Sequence, residues 1–191
     1  MAELDRDGER TGYRARIAPW PAEDLAPGAA GAAVTIVLRD GTRDVEVLLI
    51  ERAVREHDLA SGQVALPGGR ADPTDASLAA TALRELTEEV GLGAGDVVLP
   101  LRLVGIQRAD LFGLDVAVFT APLTEGPREP VGSPGEVAHV FWLPEAALKH
   151  IDTVERTTPR GTRTVPAVVH HGAVLWGFTL RVLRDFFGTQ P

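Results

Sequence analysis

The chain has 191 residues, 45% of them hydrophobic, no cysteine and a formal net charge of -8. That length and apolar content suit one soluble domain with a sizeable core, and the missing cysteines exclude a disulfide framework and thiolate metal sites. The acidic balance argues against sequence-independent binding to nucleic acid or to an anionic membrane surface, and no apolar run approaches the roughly 18 residues of a spanning helix.

Residues 1–29, charged and then rich in Ala, Pro and Gly, read as a loose arm ahead of a domain at 30–191. No charged-then-apolar secretory pattern opens the sequence, so cytoplasm is the default location. The runs "AAVTIVLRD" and "VEVLLIERA" around "GTRD" predict a hairpin. "VALPGG" predicts a short strand entering a turn, where Gly68 and Gly69 allow close backbone approaches denied to other residues. Thr74 or Asp75 is expected to cap the helix that follows, and Gly91 to end it as a left-handed residue. Beyond it, "RLVGIQRAD" and "LDVAVFTAPL" predict two strands joined near "LFG", and "HVFWLP" one more. "PEAALKHI" and "LWGFTLRVLRDFFG" have helical spacing, and "VPAVVHHGAV" reads as a hairpin about His170, His171 and Gly172. Strands grouped around helices predict an α+β fold with a mixed sheet between helices.

The helix in "TALRELTEEVGL" carries the unusual feature. At about 100° per residue, Glu85, Glu88 and Glu89 share one face, while Ala79, Ala82, Leu83, Leu86 and Val90 form an apolar stripe on another. The acidic edge is therefore expected to lie off the packing edge. Like charges at these spacings repel, and Glu88 and Glu89 also stand near the helix C-terminus, where the macrodipole disfavours them. A divalent cation would reverse both effects, since carboxylates are the hard oxygen ligands that Mg²⁺ takes alongside water and phosphate. The competing reading is a solvated acidic face with Arg84 as partial counter-charge.

From Gly69 to Leu92, "GRADPTDASLAATALRELTEEVGL" resembles the Nudix box of the Nudix hydrolases. Arg84, Glu85, Leu86, Glu88, Glu89, Gly91 and Leu92 fit its second half without a gap. In the first half, the box's first glutamate falls on Ala76, with Asp75 one residue earlier, and the spacing from Gly69 is one residue longer than usual. The "GG", "DPTD" and "TALRE" register resembles the coenzyme A pyrophosphatase branch, as do Arg52, Ala53, Gly62, Pro67, Gly68 and Gly69 upstream and Gly172, Trp176, Gly177 and Thr179 downstream. The branch's second signature arginine is out of register: His57 or Asp58 stands in its place, with Arg55 close by.

The resemblance implies an α/β/α sandwich and a Mg²⁺- or Mn²⁺-dependent pyrophosphohydrolase. It implies Glu85 and Glu89 as metal ligands, an i,i+4 pair that points to one side, with Glu88 completing the set and the Gly69 carbonyl as a backbone ligand. Arg84 is then an orienting partner, its planar fork holding a box carboxylate. Glu136, in the loop entering "HVFWLP", matches a position where some members place a further acid that binds metal or activates water; Glu125 and Glu129 are weaker rivals, and no single base is named. Arg52, Arg55 and Arg70, which flank the glycine turn, are candidate phosphate contacts. Trp176 reads as core, and Phe112 is placed near the substrate mouth. The partner is a small nucleotide-containing substrate, coenzyme A or an acyl-CoA first and a nucleoside diphosphate sugar second; neither nucleic acid nor membrane is expected, and a homodimer is left open.

Overall fold

The computed structural model of the chain describes residues 25–56, 60–158 and 161–189. Residues 1–24 of the expected arm, and His57 and Asp58, lie outside that set. Leu25 already packs on the core, ahead of a 3-10 turn at Pro27–Ala29.

The predicted first hairpin forms from β1 (Ala32–Asp40) and β2 (Val45–Arg52), paired antiparallel from Leu38 opposite Val47 to Asp40 opposite Val45. The short strands β3 (Val64–Ala65) and β4 (Gly68–Arg70) flank the bend at Leu66 and Pro67, β3 on β2 and β4 on β1, so Gly68 and Gly69 of the expected glycine turn lie in a strand just past the bend, opposite Val34 and Ala33. β5 (Arg102–Ala109) and β6 (Leu114–Pro122) form the second hairpin, and β7 (Val137–Pro144) runs along β2. β1 lies parallel to β6 from Ala32 to Leu38 while its other pairings are antiparallel, so this seven-stranded sheet is mixed.

Both faces of that sheet are covered, which is why its central strands read as continuous apolar runs rather than alternating ones. Helix α1 (Leu78–Val90) sets Leu78, Ala82, Leu86 and Val90 on Ala33, Val37, Leu48, Ile50 and Phe119. Helix α2 (Gly177–Phe187) sets Leu180, Val182 and Leu183 on the alternate residues Ile36, Leu38, Val47, Leu49 and Leu143. This is the α+β arrangement of a mixed sheet between two helices. Leu86 is fully buried, so Leu86→Ala is expected to cost about 3 kcal/mol of stability, measurable as a lowered urea midpoint.

Two local expectations are corrected, and one strand has no counterpart among them. "PEAALKHI" contributes only a 3-10 helix at Glu145–Lys149. The next seven residues, polar and without an apolar alternation, form strand β8 (Asp152–Thr158), which sequence periodicity does not predict; its ladder to β9 (Gly161–His170) makes it a strand. Trp176 closes β10 (Ala173–Trp176) instead of lying within α2. β8, β9 and β10 form a separate three-stranded sheet, in which β9 and β10 are the hairpin expected about His171 and Gly172. Among the described residues no helix is long and apolar enough to cross a membrane.

Candidate active site

The glycines of β4, helix α1, the end of β2 and the start of β7 come together, with α1 packed on β1, β4 and β7 and Arg52 of β2 beside Glu89. Helix α1 is capped by Ser77, whose hydroxyl accepts from the Ala80 amide at 3.2 Å. The expected caps are spent elsewhere. Thr74 donates its amide and hydroxyl to Asp72, at 2.8 and 2.6 Å. Asp75 accepts from the Asp72 amide at 2.9 Å and from the Thr81 hydroxyl at 2.7 Å. Gly91 ends the helix at φ 73°, its amide bonded to the Thr87 carbonyl.

The larger correction concerns Glu89. The acidic edge was expected to lie off the packing face, yet Glu89 is only 5% exposed, in the same buried row as Leu86 and Val90. Its Oε2 accepts from the Gly68 amide at 2.9 Å, and its Oε1 stands 3.6 Å from Nη1 of Arg52, at the end of β2. Burial outweighs both favourable contacts and pushes its pKa up to about 7; the charges of Glu85 and Glu136 push the same way. Glu85 is also raised, first by burial, with the Arg84 guanidinium opposing.

Glu85 rests directly on the glycine turn. A Cβ added at Gly69 would lie 2.5 Å from the Glu85 carboxyl carbon, so glycine there makes room for the carboxylate. Gly68 serves the backbone instead: at φ 150°, an added Cβ would meet the Ala33 carbonyl oxygen at 2.3 Å. The two glycines should therefore separate under mutation. Gly68→Ala is expected to destabilise the fold by about 2 kcal/mol or more. Gly69→Ala is expected to leave the unfolding midpoint near that of the parent while activity falls about a hundredfold, because it displaces the carboxylate alone.

Arg84 ties the cluster together. Its Nε and Nη2 each lie 3.0 Å from an oxygen of Asp75, a bidentate grip, while Nη1 donates to Glu85 at 2.8 Å and to Glu88 at 3.0 Å. Nη2 also donates to the Arg70 carbonyl at 3.1 Å. Asp75, whose place in the box the sequence left open, is the anchor of this hub: Arg84 first, then the Asp72 and Thr81 bonds, hold its pKa well below the usual carboxylate range. An acid nine residues before the arginine was the only signal of that role in the sequence.

The remaining candidates are placed unevenly. Glu88 is half-exposed and reaches the site through Arg84. Glu136 stands just before β7, half-exposed, with its charge acting on both Glu85 and Glu89. Glu125 and Glu129 are exposed on the loop between β6 and β7. Arg70 is exposed, and Arg55 is taken up by the Gly135 carbonyl and the Glu136 carboxylate. Phe112 is exposed in the β5–β6 turn.

Among the described residues no three carboxylate or imidazole groups converge as a ready-made metal site, and Glu85 and Glu88 are turned to Arg84. The donors nonetheless suit a hard dication. Mg²⁺ needs only one or two carboxylates beside water and phosphate, and the buried, charge-resisting Glu89 and Glu85 in its glycine cradle are the groups that would supply them.

Fold and site together define a mixed-sheet sandwich that sets a carboxylate-bearing helix against two adjacent glycines. The family model for the NUDIX domain matches residues 29–163, and the Nudix hydrolase NudL of Yersinia pestis is 32% identical over 143 residues, covering 72% of this chain and 69% of the relative. The chain therefore belongs to the Nudix hydrolases, enzymes that act on pyrophosphate bonds of small nucleotide derivatives and generally use divalent metals. Solved structures agree in fold. A MutT/nudix family protein from Enterococcus faecalis has a TM-score of 0.54 at 16% identity, covering 92% of this chain and 65% of that one. A NUDIX hydrolase from Alicyclobacillus acidocaldarius has a TM-score of 0.52 at 23% identity, covering 68% and 82%.

Proposed function

We propose that the protein is a Mg²⁺- or Mn²⁺-dependent pyrophosphohydrolase that cleaves coenzyme A or an acyl-CoA into adenosine 3′,5′-bisphosphate and a 4′-phosphopantetheine. The observation that carries the hydrolytic reading is the pair of carboxylates one helical turn apart, Glu89 buried on the Gly68 amide and Glu85 lodged against Gly69. A divalent cation, when bound, neutralises anhydride oxygens and acidifies water. Glu85 and Glu89 hold it, with Glu88 and the Gly69 carbonyl as further ligands. Arg84, fixed by Asp75, orients Glu85 and Glu88. Glu136 is the acid outside the helix best placed to take a proton from the attacking water, and Arg52 and Arg70 flank the turn as phosphate contacts.

The coenzyme A branch is supported by the resemblance around Arg52, Gly62 and Gly68 and from Gly172 to Thr179. One observation favours a second substrate class, ADP-ribose or another nucleoside diphosphate sugar. Arg55, the residue nearest the branch's second signature arginine, grips the Gly135 carbonyl instead of standing free for a substrate phosphate. Incubation with coenzyme A and with ADP-ribose, with and without Mg²⁺, followed by separation of products, tests both. Cleavage of ADP-ribose alone would overturn the coenzyme A reading, cleavage of coenzyme A alone would overturn the ADP-ribose one, and a Glu89→Gln variant that cleaves either compound at the parental rate would overturn the hydrolytic role of the carboxylate pair.

A further inference from the structure

The loop that carries Glu136 is fastened at both ends. On one side it joins the last turn of α1: the Val131 amide donates to the Val90 carbonyl at 3.0 Å, and the Ser133 amide to the carbonyl of Glu89 itself at 2.8 Å. On the other side it joins the segment after β2. The Ala53 amide donates to the Glu136 carbonyl at 2.8 Å, and the Arg55 guanidinium straddles the Gly135 carbonyl, with Nε at 2.9 Å and Nη2 at 2.6 Å. The same Nη2 lies 3.2 Å from the Glu136 carboxylate.

Between these fastenings the loop has little slack. The amides of Glu136 and Val137 both turn back to the Ser133 carbonyl, at 3.3 and 3.1 Å. Gly132 is pressed on Val137, where an added Cβ would lie 2.7 Å from Cγ1, and Gly135 takes φ 80°, a conformation that suits glycine. An exposed Arg–Glu pair alone contributes little. A planar fork closed on one backbone carbonyl does more, because it fixes the peptide from which the carboxylate hangs.

We propose that Arg55 is a positioning residue: by clasping the Gly135 carbonyl and the Glu136 carboxylate, it holds Glu136 at the α1 carboxylates. This replaces the phosphate contact that its place in the sequence suggests, and it rests on reading those carboxylates as the hydrolytic site.

Arg55→Ala, Arg55→Lys, Glu136→Gln and the Arg55→Ala/Glu136→Gln double variant test it. They are assayed with Mg²⁺ on coenzyme A, or on ADP-ribose if that is the compound cleaved. Arg55→Ala is expected to lower kcat about tenfold with KM within about twofold of the parent. Arg55→Lys should fall with it, since an ammonium cannot form the fork. The double variant should be no slower than Glu136→Gln, because both changes remove the same contribution. In the metal-free protein, amide hydrogen exchange at Ala53 and Ser133 should quicken about tenfold in Arg55→Ala while the α1 core amides keep their protection.

A raised KM at unchanged kcat would make Arg55 a substrate contact and overturn the proposal. So would multiplicative losses in the double variant, a parental kcat in Arg55→Lys, or unchanged exchange at both amides. Glu136→Gln with parental kcat beside an inactive Glu89→Gln would overturn the positioning role and leave the hydrolytic site standing. Parental kcat in Glu89→Gln would remove both.

Discussion

Glu89→Gln is expected to lower kcat about a thousandfold, equivalent to roughly 4 kcal/mol of transition-state stabilisation, while making the metal-free protein more stable above neutral pH. The two effects have one cause. Glu89 is nearly buried, and its pKa is raised from an ordinary 4.5 to about 7, chiefly by burial. Between those values the folded chain holds a proton that the unfolded chain has released, so stability falls as pH rises from 4.5 to about 7. Above that range the folded protein contains a charge it would rather not bury. The difference corresponds to about 3 kcal/mol. Glutamine keeps an oxygen for the Gly68 amide and removes the charge, so the variant's stability should fall less over that window, with only the raised Glu85 still contributing in the same direction. Urea titrations at pH 5 and pH 8 on chelated protein read this directly. Added Mg²⁺ should stabilise the parent and not the variant. Equal pH dependence in the two proteins would show that Glu89 does not carry the buried charge.

Asp75→Asn is expected to lower kcat by about 10- to 100-fold with the fold intact, the usual range for a residue that orients ligands without binding the metal. The carboxamide can accept only one of the two N–H bonds that Arg84 now directs at Asp75, and it offers an NH₂ where Arg84 needs an acceptor. Arg84 would lose the anchor that sets its Nη1 between Glu85 and Glu88. Arg84→Lys should behave similarly, since an ammonium cannot form the fork. The pH dependence of this contribution has the opposite sign to that of Glu89. Asp75 titrates below its ordinary 3.8 in the folded chain, so the stability it provides is full above that value and disappears as pH falls through the lower one. Acid unfolding should begin at higher pH in Asp75→Asn, and a coincident onset in the two proteins would argue against the anchor.

Much of this molecule was legible from residue order because the signals are local. The hydrophobic runs of β1 and β2, the 3.6-residue stripe of α1, the left-handed stop at Gly91 and the hairpin about His171 each depend on neighbours within a turn or two. So does the register of Arg84, Glu85, Glu88 and Glu89, which places the acids on a helix beside a glycine turn. β8 shows the limit: "DTVERTT" has no apolar alternation, and only its ladder to β9 makes it a strand.

The sequence by itself determined the fold class, the carboxylate helix and the family. Tertiary structure decided which acid is buried, what Asp75 holds and where Arg55 is spent. Glu89 meets the amide of Gly68, 21 residues away, and Arg55 meets the carbonyl of Gly135, 80 residues away. Periodicity encodes which face of an element is apolar, whereas a buried charge and a clasped carbonyl depend on what the folded chain brings against that face.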